Sequence, residues 1–361
     1  MVLASTVTVL GLVAGCAAPG PATGLRAGRL AAARQSPVTL TETGSTLLYP
    51  LLKLWASAYH QQHPQVAVST AGTGSGAGIA AASAGQADLG ASDAYLSSGD
   101  LVGNPSLLNI PLAISAEQVD YNVPGLSAGI HLKLTGTVLA GIYQGTITTW
   151  NAGPIARLNP GVHLPSTRIV PLHRAESSGD TFLFSSYLAT GNAAWNTRIG
   201  YGTTVNWPAV AGARAETGNS GMVSGCRATR GCVAYIGISY LSQALADGLG
   251  EAQLANAAGH FELPTAGTLA AAAASFVSVL PANETISMVN GPAAAGYPIV
   301  NYEYAVVSTR QRNAARGDAL RAFLHWAVTS GNAGQYLNQV RFQPLPGAAR
   351  ALAVTQIGKI R

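Results

Sequence analysis

The sequence predicts an α/β fold in which strands and helices alternate along parallel sheets. The first clear patterns run strand, loop, helix, strand, loop, helix, strand, which is the order typical of parallel α/β units. The chain has 361 residues, 48% of them hydrophobic, and one core stops growing at about 250–300 residues, so two domains are expected. Charged residues make up 10%, too few for a coiled coil. No apolar run reaches the roughly 18 residues of a spanning helix, which excludes a multi-pass membrane protein.

The first unit of the body begins at Val38. Alternation, helical spacing of apolar residues and Gly-rich breaks mark its elements in turn. Ligands of such sheets bind beyond the carboxyl ends of the strands, beside the helix N-termini. The predicted elements are a strand over Val38–Thr41, a helix carrying Leu51, Leu54, Trp55 and Tyr59, a strand over Val66–Ser69, an Ala-rich helix over Gly76–Ala84 and a strand over Ala87–Ala91.

A second unit begins near Asn122. Pro and Gly punctuate Pro111–Gly125 and Gly291–Pro298, which are the candidate crossings between the units. The predicted later elements are a strand within 168–177, a helix over Asp180–Leu188, a strand over Gly231–Ser239, a helix over Leu269–Val279, a strand over Tyr297–Val307 and a last amphipathic helix with Leu320, Phe323, Leu324, Ala327 and Val328 on one face.

The net charge of +5 is concentrated near the N-terminus. Arg26, Arg29 and Arg34 precede the first acidic residue, Glu42, and the rest of the chain carries only +2. A nucleic-acid reader needs a basic patch or stripe, and the sequence has no such cluster. Nucleic acid is therefore not an expected partner.

Residues 1–16, MVLASTVTVLGLVAGC, form a short apolar stretch that ends in small residues, as in an export signal. The end of this stretch, 13–16, resembles the lipobox of bacterial lipoproteins. That resemblance implies a signal peptide over 1–15 and a lipid on the Cys16 thiol, although no Lys or Arg precedes Cys16. The Pro- and Gly-rich segment 16–37 then predicts a flexible tether. The alternative is the apolar end of a core strand with a buried cysteine.

The remaining cysteines are Cys226 and Cys232. In an exported protein such a nearby pair predicts a disulfide that closes a small surface loop. A metal site would need more ligands. Of the seven histidines, His60 and His63 lie close together, but no cysteine or third histidine joins them, so no metal is expected.

Three loops place small residues and hydroxyls directly before a helix: 44–47, 72–76 and 174–180. Helix N-termini carry unpaired N–H groups and about half a positive charge, and glycine lets a ligand approach the backbone. Three such ends together would bind a small oxyanion. The alternative for each loop is a plain N-cap. The Gly-rich loop lacks the G-K-[ST] of a P-loop, and the chain has no G-x-S-x-G elbow, so catalytic motifs are poorly supported.

Read with a fourth segment, the loops resemble a known family. TGST, GTGSGAG, DLGASDAYLS and RAESSGDTFLFSSYL occur in that order, and together they resemble the phosphate-binding proteins (PstS) of bacterial phosphate ABC importers. The match runs from about Val38 to Pro346. The Cys226–Cys232 loop and the phrase NYEYAV resemble the lipoprotein members from mycobacteria and their relatives.

The resemblance implies a two-lobed, hinged periplasmic-binding-protein fold (type II-like) with phosphate between the lobes. It places 38–117 plus 298–361 in the first lobe and 118–297 in the second. It also implies a monomeric binding protein rather than an enzyme, without a cofactor, anchored by lipid on the extracytoplasmic face of the cell membrane. Its partners would be two permease subunits and an ATPase.

The resemblance also implies a set of phosphate-binding residues. Asp93 matches a buried carboxylate, and Arg174 the basic residue of the site. Asp180 departs from the Thr of many members, and Glu176 replaces a common Asp. The hydroxyl and backbone donors are Thr46, the Leu47 N–H, Ser75, Ser178 and Gly179.

A carboxylate beside an anion is explained by protonation. Phosphate near neutral pH keeps at least one proton, so Asp93 can accept a hydrogen bond from its P–OH group. Sulfate has no such proton, and an unmatched buried polar pair costs roughly 1–3 kcal/mol. Asp180 could accept a second proton, or cap its helix and hold Arg174. A phosphatase, or a binder of sulfate, molybdate or an organic phosphate, remains the alternative function.

Overall fold

Three short parallel strands open the structure, as the sequence predicts. The computed structural model describes residues 37–361, so Cys16, the signal peptide and nearly all of the predicted tether lie outside the described residues. β1 pairs with β2 through its first half and with β3 through its second half, which extends it three residues beyond the predicted strand. The elements are β1 (Val38–Gly44), α1 (Tyr49–Gln62), β2 (Val66–Ser69), α2 (Ser75–Ser83), β3 (Leu89–Ser92) and α3 (Ser98–Gly103).

The sheet becomes mixed beyond β3. A strand from late in the chain, β12 (Val300–Ser308), lies antiparallel to both β3 and β4 (Leu107–Asn122). The expectation of a parallel sheet therefore holds at the two ends of the sheet but not in its middle. The main sheet has the order β2-β1-β3-β12-β4-β8-β6-β7, where β8 is Cys232–Gly237, β6 is Val170–Arg174 and β7 is Arg214–Glu216, and β9 (Gly250–Glu251) pairs with β4.

The predicted crossing Pro111–Gly125 is mostly strand. β4 (Leu107–Asn122) pairs with β12 as far as Ala116 and with β8 from Glu117 onward. Proline is tolerated within a sheet at bulges, and the register shifts beside Pro111, between Glu303 and Tyr304 of β12. The limits of the two lobes remain a prediction, and the change of partner along β4 lies next to the proposed limit.

Residues 133–274 supply β8, β6 and β7 at one end of this sheet, and further helices and short strands. β6 is parallel to β7 and β8, and β8 is antiparallel to β4. The elements are β5 (Lys133–Leu134), α4 (Gly136–Tyr143), α5 (Gly153–Leu158), β6 (Val170–Arg174), α6 (Gly179–Gly191), α7 (Ala193–Arg198), β7 (Arg214–Glu216), α8 (Gly218–Ala228), β8 (Cys232–Gly237), α9 (Leu241–Ala246), β9 (Gly250–Glu251), β10 (Gln253–Ala255), β11 (Phe261–Glu262) and α10 (Ala266–Ala274). The predicted helix over Leu269–Val279 therefore ends early and continues as a 3₁₀ turn over Val277–Val279.

The C-terminal helices pack on the first part of the sheet. The predicted apolar face of α11 (Ala314–Val328) is buried, and Tyr59 of α1 packs edge-on against Phe323. It is not the last helix, because α12 (Gly334–Leu337) and α13 (Gly347–Ile357) follow. α13 buries Ala349, Ala353 and Ile357, a face made mostly of alanines, which gives a weak periodic signal. Within residues 37–361 no helix is long and apolar enough to cross a membrane.

Cys226 and Cys232 form the predicted disulfide, with their Cα atoms 5.3 Å apart. Cys226 lies in the last turn of α8 and Cys232 begins β8. Both side chains are buried, while Arg227, Ala228 and Arg230 between them are exposed. The bond therefore ties the end of a helix to the start of the strand that follows it.

Replacing both cysteines with alanine is expected to lower the free energy of unfolding by roughly 2 kcal/mol, because the bond restricts a short loop in the unfolded chain. Urea unfolding of residues 37–361, which form one compact unit, measures the change. The unmodified protein in reductant should match the double variant. Equal midpoints with and without the bond would contradict a stabilising role.

Candidate functional site

The loops that the sequence singled out meet at the carboxyl ends of β1, β3 and β6. Gly44 allows this approach on one side, since it has φ +145° and a Cβ atom there would lie 2.0 Å from the Ala91 carbonyl oxygen. On the other side the Gly76 N–H donates to the Ser177 carbonyl at 3.2 Å. Segments 44–47, 72–76, 90–94 and 174–180 thereby surround one buried polar centre.

Asp93 lies directly after β3 and is fully buried. The Ser45 hydroxyl donates to its Oδ1, and the Ser75 hydroxyl donates to its Oδ2 at 3.2 Å. Burial first and the charge of Asp180 second raise the pKa of Asp93, and hydrogen bonds from Glu303 and Ser45 and the charge of Arg174 lower it, so that the pKa is raised to about 6. The structure thus places a carboxyl group with a raised pKa among hydroxyl donors.

Arg174 ends β6 and its guanidinium is buried. It forms ion pairs with Asp180 and Glu176, and its Nη2 donates to the Thr46 hydroxyl at 3.0 Å. Burial disfavours the charge, but Asp180 and Glu176 outweigh it and raise the pKa of Arg174. Two carboxylates, Glu176 and Asp180, therefore share this buried arginine.

The N-terminus of α6 brings the remaining predicted residues to the centre. Ser178 caps the helix, its hydroxyl accepting from the Asp180 N–H at 3.1 Å and donating to Asp180 Oδ2 at 3.0 Å. Gly179 is required at the next position, because a Cβ atom there would lie 2.4 Å from Asp93 Oδ2 and 2.6 Å from Ser75 Oγ. Within residues 37–361, neither the Gly179 N–H nor the Leu47 N–H donates a hydrogen bond.

Asn219, at the start of α8, is a member of the centre that the sequence analysis missed. Its amide nitrogen contacts the Thr46 hydroxyl at 2.9 Å and Asp180 Oδ2 at 3.2 Å, and its oxygen accepts from the Gly237 N–H at 2.7 Å. The signal was present, since Thr217-Gly218-Asn219-Ser220 is another small polar stretch before a helix. Ser45 was likewise quoted in a motif but not selected.

The arrangement can bind a small anion that carries a proton. Hydroxyl, backbone N–H and guanidinium donors face the centre, and Asp93 adds an acceptor for a ligand O–H group. Among residues 37–361, no group of three or more His, Cys, Asp and Glu residues is arranged to hold a metal ion.

Comparison with known proteins agrees with this fold. The family model described as "PBP superfamily domain" matches residues 31–330. The chain is 32% identical over 309 residues to the phosphate-binding protein PstS of Xylella fastidiosa, covering 86% of this chain and 82% of that protein. It is 30% identical over 334 residues to the phosphate-binding protein PstS3 of Mycobacterium bovis, covering 89% and 86%.

Solved structures share the fold. A periplasmic phosphate-binding protein, PfluDING, solved with phosphate, superposes with a TM-score of 0.66 at 22% identity, covering 87% of this chain and 92% of that one. An ABC-type phosphate transport receptor from Vibrio cholerae superposes with a TM-score of 0.55 at 20% identity, covering 85% and 100%. The chain is therefore a member of the periplasmic-binding-protein class. Within that class it belongs to the PstS family of phosphate-binding proteins.

Replacing Asp93 with Asn is expected to stabilise the protein without ligand increasingly as the pH rises. Below about pH 4 both the folded and the unfolded state carry the Asp93 proton. Between about pH 4 and 6 the unfolded chain releases it and the folded state, with the higher pKa, keeps it, so stability falls. The introduced asparagine does not titrate, so the variant does not lose stability in this way. At about pH 7 its free energy of unfolding should exceed that of the unmodified protein by roughly 2–3 kcal/mol.

Urea unfolding of both forms at several pH values measures this difference. The exposed Asp318→Asn variant is the control and should show no pH-dependent gain. A constant gap between Asp93→Asn and the unmodified protein would contradict a raised Asp93 pKa.

Proposed function

We propose that this protein captures inorganic phosphate between two lobes and delivers it to an ABC importer. One observation carries the proposal: Asp93 is buried beside a helix N-terminus, hydroxyl donors and the Arg174 guanidinium, so that one centre offers donors and a proton acceptor. The named relatives are phosphate-binding proteins, which supports the same ligand.

The acceptor gives selectivity. Phosphate with at least one proton can donate its P–OH hydrogen to Asp93 while its other oxygens accept from Thr46, Ser75, Ser178 and backbone N–H groups. Sulfate would set an oxygen without a proton against the carboxylate, leaving a buried polar pair unmatched. Discrimination then comes from rejecting the wrong anion as much as from holding the right one.

Asp180 has a supporting place in this proposal. It pairs with Arg174 and accepts from Asn219 and Ser178, so it fixes the guanidinium as a charge-assisted partner does. An Oδ atom of Asp180 could also accept a second phosphate proton. Arg174, already paired with two carboxylates, then serves as an oriented donor more than as a source of net positive charge.

The proposed lobes, 38–117 plus 298–361 and 118–297, meet through polar contacts at this centre. Asn219 reaches Thr46, and the Ser239 hydroxyl donates to the Leu47 carbonyl at 2.8 Å. Release of phosphate requires these contacts to open, and hinged closure around a ligand is a common binding motion. We propose that the closed form is the one offered to the importer's two permease subunits and ATPase, and that the protein acts as a monomer without a cofactor or turnover.

Titration calorimetry of residues 37–361 with phosphate and then sulfate tests the ligand. Phosphate should bind tightly, sulfate should give no heat, and Asp93→Asn should weaken phosphate binding or admit sulfate. Asp88→Asn is the matched control, because Asp88 is a buried carboxyl at the opposite end of β3, paired with Arg316. Equal binding of both anions by the unmodified protein would overturn the proposed selectivity, and absence of phosphate binding would overturn the function.

We propose further that Cys16 carries the lipid that holds the protein at the extracytoplasmic face of the cell membrane. The lipobox-like residues 13–16 support this proposal. Expression of the full chain in a bacterial host with a labelled fatty acid should label the protein, and Cys16→Ala should remove both the label and the membrane fraction. The Cys226→Ala/Cys232→Ala variant is the control and should stay labelled. Labelling that survives Cys16→Ala would contradict the anchor.

A further inference from the structure

Two buried glutamates lie behind the two aspartates of the site. Glu303 is on β12 and Glu117 is on β4, and neither side chain is exposed. Glu117 is the residue of β4 at which the strand changes partner from β12 to β8. Neither glutamate was selected from the sequence.

Glu303 faces Asp93. Its Oε1 accepts from the Ser115 hydroxyl, whereas its Oε2 meets no donor within residues 37–361. Tyr304 pairs with Ser92 of the antiparallel neighbour β3, so Glu303 and Asp93 are the next residues along the two strands. Their carboxyl groups lie within hydrogen-bonding reach of each other. The bulge between Glu303 and Tyr304 lies at this position, and bulges re-aim side chains beside functional sites.

Glu117 stands in the same relation to Asp180. Neither of its carboxyl oxygens meets a donor within the described chain, and its carboxyl lies within hydrogen-bonding reach of Asp180. Each aspartate of the site therefore has a buried glutamate beside it, and within residues 37–361 three of the four glutamate oxygens accept no hydrogen bond.

Such pairs cannot both be ionised. Asp93, Asp180, Glu117 and Glu303 share their surroundings with one guanidinium, Arg174, which Glu176 also engages. Two adjacent buried carboxyls hold a proton between them, because like charges at that distance repel strongly in a low-dielectric interior. The charged groups that act on Glu303 are Asp93 and Asp180, and those that act on Glu117 are Asp180, Asp93 and Arg174.

We propose that Glu303 and Glu117 are neutral carboxylic acids that donate their protons to Asp93 and Asp180, and so set the anion selectivity of the site as positioning residues. The inference rests on the proposed function. Each glutamate supplies the donor that its aspartate needs to remain an acceptor toward the ligand. Asp93 then accepts two hydrogen bonds, one from the P–OH group of phosphate and one from the protonated Glu303 carboxyl.

The electrostatics agree with this assignment. Burial raises the pKa of Glu303 and of Glu117 well above the ordinary value, and the neighbouring aspartates raise both further. Hydrogen bonding from Glu303 lowers the pKa of Asp93. Without that donor the pKa of Asp93 would rise, and a larger fraction of Asp93 would be protonated near neutral pH. A protonated Asp93 can donate a hydrogen bond to a sulfate oxygen, so the selectivity against sulfate would fall.

A pair of variants at residue 303 tests the proposal. Glu303→Gln keeps a neutral donor toward Asp93 and an acceptor for Ser115, whereas Glu303→Met has a similar length and neither. At about pH 7.5, Glu303→Met should lower phosphate affinity and the preference for phosphate over sulfate by at least about tenfold, while Glu303→Gln should change neither more than about threefold. Titration calorimetry with both anions measures these ratios.

Three results would overturn the inference. Tighter phosphate binding by Glu303→Gln would mean that the native glutamate is charged, and equal behaviour of the two variants would mean that its proton is not used. Carboxyl ¹³C NMR covers the case in which Glu303→Met does not fold: the signal lost in Glu303→Gln should not titrate between about pH 5 and 8 in the unmodified protein, and titration there would refute the assignment. If the unmodified protein binds no phosphate, the proposed function itself fails, which distinguishes the two.

Discussion

The buried Arg174 guanidinium is the interaction on which the rest of the site depends. It joins β6 to Thr46 of the first loop, to Asp180 of α6 and to Glu176. A buried ion pair often contributes little net stability, because desolvation offsets attraction. Removing Arg174 would leave its carboxylate partners buried and unpaired. Arg174 therefore fixes the geometry of its own loop, 174–180, and connects that loop to the 44–47 loop.

The fold was predictable where local pattern decides it. β1 to β3, α1, α2 and α6 show clear alternation or helical spacing, and the structure has them within a few residues of the prediction. β4 was missed because Pro111 suggests a break, and only its pairing with a bulged β12 makes that proline compatible with a strand. α13 was missed because its buried face is made mostly of small alanines, which give a weak periodic signal.

Part of the site could likewise be predicted from the sequence, and part of it could not. Loops that precede helices can be recognised from the sequence, because hydroxyl and glycine residues before a helix have a known chemistry. Their convergence cannot, since it depends on β12 entering between β3 and β4. The residues next to Glu117 in β4 and next to Glu303 in β12 are all buried. The sequence around a carboxyl group in such a strand does not indicate which charged group it will face.

The acids of the centre outnumber its base, and this excess has a physical consequence. If all of these acids were ionised, the site would carry a net negative charge and would attract cations rather than anions. Burial in a low-dielectric interior instead favours the neutral form of each acid. A carboxylate that stays ionised can then accept a hydrogen bond from a protonated ligand, so the site would distinguish anions by whether they carry a proton. The glutamates lie on β4 and β12, which meet where β4 changes partner. The proposed limit between the lobes, after residue 117, falls at Glu117 itself, so the inference places one of the two neutral acids where the chain passes from one proposed lobe to the other.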